Sequence, residues 1–293
     1  MRVFVTGAAG MLGRDVVAEC EAREHEAIAL AREDLDLTDG VAVDRALARW
    51  RPGVVVNCAA WTDVDGAEER EREAMAVNDT GAGLLAVAAS AVDAKVVHVS
   101  SDYVFDGSGR RPYLESDLPA PISAYGRTKL AGETAVAVAN RRHILVRSSW
   151  LFGSGGPNFV ETMLRIGREQ PEVLVVSDQH GSPTYTAHLA EALVILAETD
   201  EYGIHHVTAS GSCSWFEFAQ EIFDQAGIDA RVIAGTTKML ARPAPRPAFS
   251  VLGSERPDPI RLPHWRRGLA EYMRNRERGG REPVAGPGAG GRR

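Results

Sequence analysis

The chain has 293 residues, 40 of them acidic against 33 basic, for a formal net charge of −7. That balance excludes a general nucleic-acid or anionic-membrane binder, which would carry a basic excess. The 44% hydrophobic and 25% charged content excludes disorder as the overall state, and single cores stop growing at roughly 250 to 300 residues, so two lobes are expected.

The first expected element is a short buried strand over residues 2–6, ending in Thr6-Gly7. This apolar run is too short for a signal peptide, and no stretch of about 18 apolar residues follows. Cys20, Cys58 and Cys213 lie far apart without C-x-x-C spacing, so neither a zinc site nor a disulfide framework is implied. A cytoplasmic protein without a membrane partner fits these features.

A helix over 10–22, with Leu12, Val16 and Val17 at helical spacing, follows the first strand. The pattern recurs as strand 26–30, helix 38–49, strand 54–58, helix 68–91, strand 95–100, helix 124–139 and the apolar run Ile144-Leu145-Val146. Alternation of this kind means a Rossmann-type doubly wound α/β fold, a parallel sheet with helices on both faces. Beyond residue 150 Gly-, Ser- and Pro-rich stretches interrupt shorter elements, which points to a smaller α/β substrate-binding lobe over about 151–184 and 210–273. Helix 188–198 and the strand-like 205–208 return to the first sheet, so the NAD(P)-binding lobe takes 1–150 and about 185–209. The tail from Arg274 holds Gly-Gly and Pro-Val-Ala-Gly-Pro-Gly with little to bury and is expected to be disordered.

Gly7, Gly10 and Gly13 form Gly-x-x-Gly-x-x-Gly where the first strand meets the first helix. Glycine allows a tight turn and close backbone approach to a pyrophosphate, whose charge the helix N-terminus stabilises. Cofactor choice is read after the second strand, where an acid suits the ribose hydroxyls of NAD and an arginine the extra phosphate of NADP. Ala31-Arg32-Glu33-Asp34 offers both. Arg32 comes first, which favours NADPH and leaves NADH open.

Tyr125 and Lys129 stand at i and i+4, on one face of the same expected helix. A neighbouring ammonium favours phenolate, so such a tyrosine can exchange a proton with a substrate oxygen. With six tyrosines and three lysines in the chain, this spacing is rarely accidental. A third hydroxyl is expected at the end of strand 95–100, because ligands in such sheets sit at the carboxyl ends of strands. Spacing alone does not choose between Ser100 and Ser101.

These motifs in this order resemble an extended short-chain dehydrogenase/reductase. The stretches Asn57-Cys58-Ala59-Ala60-Trp61-Thr62-Asp63, Ser101-Asp102-Tyr103-Val104-Phe105, Tyr125-Gly126-Arg127-Thr128-Lys129 and Arg147-Ser148-Ser149-Trp150 narrow the resemblance to the dTDP-4-dehydrorhamnose reductases. Asp178-Gln179-His180-Gly181-Ser182-Pro183-Thr184 and Arg246-Pro247 extend it. The resemblance implies NAD(P)H-dependent reduction of the C4 ketone of dTDP-4-dehydro-L-rhamnose, with Tyr125 as proton donor, Lys129 lowering its pKa and holding the nicotinamide ribose, and Ser101 as the third catalytic residue. It puts Met11 and Leu12 at the pyrophosphate turn, Asp36 and Leu37 near adenine, Ala59, Ala60 and Thr62 along the cofactor, and Asn78 at the cofactor-binding face. Asp102, Tyr103 and Trp150 match sugar-contacting positions. A homodimer is compatible with the resemblance. Asp15 stands near a position that binds magnesium in some members, but an aspartate in a helix's first turn is ordinary dipole compensation, and no metal is expected. Two alternatives remain: a reductase of another nucleotide-linked 4-keto-deoxysugar, and a non-catalytic regulatory subunit like the methionine adenosyltransferase beta subunit.

Overall fold

A computed structural model describes residues 1–279. The chain alternates β1 (Arg2–Thr6), α1 (Met11–Ala22), β2 (Glu26–Leu30), α2 (Gly40–Trp50) and β3 (Val54–Asn57), then α3 (Val64–Glu69), α4 (Glu71–Met75) and α5 (Ala82–Ala91). β4 (Lys95–Ser101), α6 (Ala124–Ala139) and β5 (His143–Ser148) follow. The strand Gly203–His206 joins the edge beside β5, giving a six-stranded parallel sheet in the order β2-β1-β3-β4-β5 and then this last strand.

Both faces of the sheet are buried, which is why its strands read as continuous Val/Ile runs. On one face Val3, Val5, Val54, Val56, Val97 and Val99 pack against α1 through Leu12 and Val16 and against helix Thr186–Glu198 through Leu189 and Leu193. On the other, Phe4, Val55 and Val96 meet Val43 and Leu47 of α2, Leu85 of α5 and Val136 of α6. β1 is flanked by β2 and β3, so the chain winds away from it in both directions and a crevice opens at the carboxyl ends of β1 and β3.

A second lobe has its own core. Helix α7 (Phe159–Glu169), the parallel pair Glu172–Val176 and Arg231–Gly235, and helix Trp215–Ala226 enclose Val160, Leu164, Val173, Phe218 and Ile222. Ser214 opens the last of these helices with a reciprocal capping box to Glu217.

Three expectations are corrected. The single helix over 68–91 is four segments: Asp63 caps a helix that begins earlier, Arg70 leaves helical geometry (φ −124°, ψ 42°), and Ala76–Gly81 forms a π-turn. Neither break carries a proline. The last sheet strand falls at Gly203–His206 rather than 205–208. Residues 274–279, expected in a disordered tail, belong to helix Trp265–Gly279. That helix buries Trp265, Leu269 and Tyr272 in the second core, spaced i, i+4 and i+7, and ties Arg276 and the Tyr272 hydroxyl to Glu161. The rest of the expected tail, 280–293, lies outside the described residues. No described helix is long and apolar enough to cross a membrane.

Candidate active site

A cavity of about 730 Å³ opens at the carboxyl ends of the strands. Every expected site residue except Asn78 lines it: Gly7, Gly10, Met11, Leu12 and Gly13, then Arg32, Asp36, Leu37, Ala59, Ala60 and Thr62, and finally Ser101, Asp102, Tyr103, Tyr125, Lys129 and Trp150.

The turn after β1 is built on close backbone approach. Gly7 takes φ +67°, and the Gly10 N–H donates to its carbonyl at 2.9 Å. A Cβ at Gly13 would lie 2.2 Å from that same carbonyl oxygen, whereas one at Gly10 would be 3.2 Å from it and meet nothing else within 4 Å. Gly10 caps α1 without any side-chain hydrogen bond, so the first N–H groups of the helix stay open to an anion. The turn therefore fits a dinucleotide pyrophosphate. Gly10→Val is expected to raise the NADPH Kd at least about tenfold with little change in Tm, because its added methyls enter the cavity. Gly13→Ala is expected to disrupt the turn itself. Titration and thermal melting of both variants check this, and unchanged NADPH binding in Gly10→Val would sink the assignment.

After β2, Asp34 accepts the Ala31 N–H and Asp36 accepts the N–H and hydroxyl of Thr38. Those hydrogen bonds hold the Asp36 carboxyl below the usual carboxylate range. Two acids of this segment are thus bound into its own turns, while Arg32 stands exposed in the cavity wall. Glu33 stands exposed beside it in the same wall, so the segment offers a cation for a ribose phosphate and an acid for ribose hydroxyls.

Asn78, expected at the cofactor-binding face, is buried beneath the loop after β3. The π-turn aims its side chain inward, where it accepts the Trp61 N–H at 2.8 Å and donates to the Trp61 carbonyl and the Thr128 hydroxyl. These three hydrogen bonds hold the loop after β3 against α6. The helix comes so close that a Cβ at Gly132 would lie 2.0 Å from the Asn78 carbonyl oxygen.

The two serines at the end of β4 separate cleanly. The Ser100 hydroxyl donates to Glu133 at 2.5 Å, inside a buried cluster where Arg147 grips both Glu133 oxygens at 2.9 and 2.7 Å and contacts His206. Ser101 instead accepts the Tyr103 N–H and donates to Asp102, and it stands near enough to the Tyr125 phenol to pull its pKa down. The geometry therefore groups Ser101 with Tyr125, and Ser100 serves the scaffold.

Tyr125 packs edge-on against Tyr103 with ring centroids 5.5 Å apart. Burial pushes its phenol up to about 12, with the Ser101 hydrogen bond pulling the other way. Lys129 is 2% exposed, and its ammonium donates to the Val99 carbonyl at 2.7 Å. Burial brings it down to about 8, against the attraction of Glu133. Lys129, one turn along the same helix, lines the same cavity wall as the phenol. Tyr125 stays a neutral phenol at physiological pH, the protonation state a proton donor needs.

Asp102 is 1% exposed, and burial raises its carboxyl from 3.8 to about 6. A raised folded-state value contributes stability below pH 3.8 that is lost as pH rises through about 6, so the ionised form burdens the fold by up to about 3 kcal/mol at pH 7. Asp102→Asn is expected to stabilise the protein at pH 7 and to match it near pH 4. Urea midpoints at both pH values test this, and an equal difference at the two would refute the buried-charge account.

Several wall residues were not among the expected site residues. Trp215 stacks flat on Trp150, ring centroids 3.5 Å apart and planes within 3°. Gly155 and Gly156 of the loop before α7 press on Arg14 and Met11. Ser148 contributes a buried hydroxyl with no hydrogen-bond partner. Asp65 of α3 pairs with Arg242 and Arg246 of the second lobe.

A family model described as RmlD substrate binding domain matches residues 1–278. A Streptomyces griseus protein named dTDP-4-dehydrorhamnose reductase is 48% identical over 299 residues, covering 98% of this chain and 97% of its own. A Streptomyces niveus dTDP-4-keto-6-deoxy-D-glucose reductase is 43% identical over 256 residues, 87% of this chain and 89% of that one. Among solved structures, the Bacillus anthracis dTDP-4-dehydrorhamnose reductase in complex with NADP superposes with a TM-score of 0.91 at 39% identity, covering 94% of this chain and 99% of that one. Motifs, cavity and identity along nearly the whole chain agree: it belongs to the dTDP-4-dehydrorhamnose reductase family.

Proposed function

We propose that the chain reduces the C4 ketone of dTDP-4-dehydro-L-rhamnose to give dTDP-L-rhamnose, with NADPH as reductant and NADH as a weaker substitute. The observation that carries this reading is the grouping of Ser101, Tyr125 and Lys129 in the cavity wall at the carboxyl end of the sheet, beside an uncapped helix N-terminus and Arg32. A reduced nicotinamide bound there would supply a hydride, one proton with two electrons, to the ketone carbon. Tyr125 gives its phenolic proton to the ketone oxygen, and the phenolate left behind is stabilised by the Ser101 hydroxyl, which can turn its proton from Asp102. The Lys129 ammonium, seated on the Val99 carbonyl, has two further N–H donors for the cofactor ribose. Gly7, Gly10, Met11, Leu12 and Gly13 hold the pyrophosphate, Arg32 the ribose phosphate, and Ala59, Ala60 and Thr62 the middle of the cofactor. Asp102, Tyr103 and Trp150 face the sugar.

A second substrate has support in the 43% identity to the Streptomyces niveus protein, which is named for a different 4-keto sugar. The same chemistry serves both, because the ketone-reducing groups do not read the sugar. The assembled Ser-Tyr-Lys group speaks for an enzyme over a regulatory subunit. Free cysteines at 20, 58 and 213 support a cytoplasmic setting. Loss of NADPH absorbance with each dTDP-4-keto sugar, and with NADH in parallel, tests the reading. Turnover of dTDP-4-dehydro-L-rhamnose at the highest kcat/KM supports it. No turnover, with NADPH bound, would overturn it.

A further inference from the structure

Trp150 ends the segment after β5 with φ +50°, a left-handed backbone that a bulky residue adopts only when its surroundings enforce it. Its surroundings do so on two sides. The Trp215 indole covers one face at 3.5 Å and 3°. Gly181 closes on the Cε2, Nε1 and Cζ2 atoms so tightly that a Cβ there would fall 2.4 Å from the ring. Both contacts come from one device: Cys213 and Ser214 pair antiparallel with Gly181 and His180, which sets Trp215, the first residue of its helix, against the same ring that Gly181 touches. Phe159 backs Trp215 from α7 at 4.5 Å.

We propose that Trp215 and Gly181 are positioning residues for the sugar nucleotide: together they clamp the Trp150 indole in a strained conformation and so set the shape of the cavity wall that selects the sugar. The inference rests on the proposed reductase reading, in which Trp150 faces the sugar. The strain of a left-handed tryptophan is comparable in size to what a stacked aromatic pair supplies. Removing the stack therefore leaves the strain without compensation, and the indole relaxes out of place. The dinucleotide turn is built from β1 and α1 and shares no residue with this clamp.

The test uses the full chain and four proteins: wild type, Trp215→Leu, Trp215→Phe and Gly181→Ala. Trp215→Leu and Gly181→Ala are each expected to raise KM for the dTDP-4-keto sugar about tenfold, with kcat within about threefold and NADPH Kd unchanged, and Trp215→Phe to restore most of KM. A merely structural role predicts lower Tm with KM unchanged, and that result would overturn the clamp. So would KM and NADPH Kd rising together. Should Trp215→Leu fail to fold, Gly181→Ala and Trp215→Phe carry the same comparison. Calorimetric binding of dTDP-glucose to all four separates the two levels: a wild type that binds it without turning over any keto sugar refutes the reductase reading while still reporting on the clamp. Equal affinity across the four proteins refutes the clamp alone, and a wild type that binds no dTDP-sugar refutes both.

Discussion

Tyr125→Phe is expected to lower kcat and kcat/KM together by about 10²- to 10⁴-fold, the usual contribution of a positioned proton donor. The substitution removes one oxygen and keeps the ring that packs edge-on against Tyr103, so NADPH affinity and Tm should change little. The matched fall in both constants is the signature of an interaction made only in the transition state. The phenol's high pKa gives the prediction a second edge: with Tyr125 held near 12, its deprotonation cannot produce a loss of activity between pH 6 and 9 in the reductive direction. Steady-state kinetics with NADPH saturating would settle it, and a variant with near-normal kcat would remove Tyr125 from the chemistry.

Glu133→Gln is expected to be the most destabilising of the conservative substitutions. Glu133 and Arg147 are 3% and 1% exposed and share two hydrogen bonds. The glutamine cannot neutralise the guanidinium, and breaking a buried pair while leaving one charge behind costs about 3–5 kcal/mol. For a chain of this size that is a fall in Tm of roughly 10 °C. Replacing both partners, Glu133→Leu with Arg147→Met, should recover much of the loss, because no unpaired charge remains. Urea midpoints of the single and double variants decide the matter; a single variant within about 1 kcal/mol of wild type would mean that the pair is solvated or dispensable. Lys129 feels the same change. Glu133 supports its charged form, so the single variant should also lower the Lys129 pKa further and weaken NADPH binding at alkaline pH.

The sheet was legible because both its faces are buried and its strands are short apolar runs closed by glycine or a polar residue. Thr6-Gly7 marks the first such end, and the strand over Arg2–Thr6 lies where that boundary put it. The break at Arg70 was not legible, since arginine is a good helix former and its tertiary partners, the Trp61 ring and the Asp63 carboxylate, are invisible in the sequence. At Asn78 the sequence shows an amide near the cofactor loop but not which way a π-turn aims it. The choice between Ser100 and Ser101 needed strand pleating, which sends neighbouring hydroxyls to opposite sides, one to Glu133 and one to Tyr125. Trp215 gave no signal, being an aromatic residue at the start of an amphipathic helix like many that merely fill a core. The helix through Gly279 was hidden by composition: counting arginines and glycines from Arg274 onward passed over the stripe of Trp265, Leu269 and Tyr272 behind them.

The last sheet strand is reached only after the chain has built part of the second lobe and come back through helix Thr186–Glu198. Residues 1–150 alone would leave Val3, Val5 and Val54 without their cover from Leu189 and Leu193, so a truncated cofactor lobe should be aggregation-prone rather than a free-standing module. Anyone wishing to exchange the second lobe for another has three splice points to match, near residues 150, 186 and 206. The first two run through Trp150 and Thr186, which are themselves cavity wall. Substrate range in this architecture is therefore more open to change by point substitution than by recombination of whole segments.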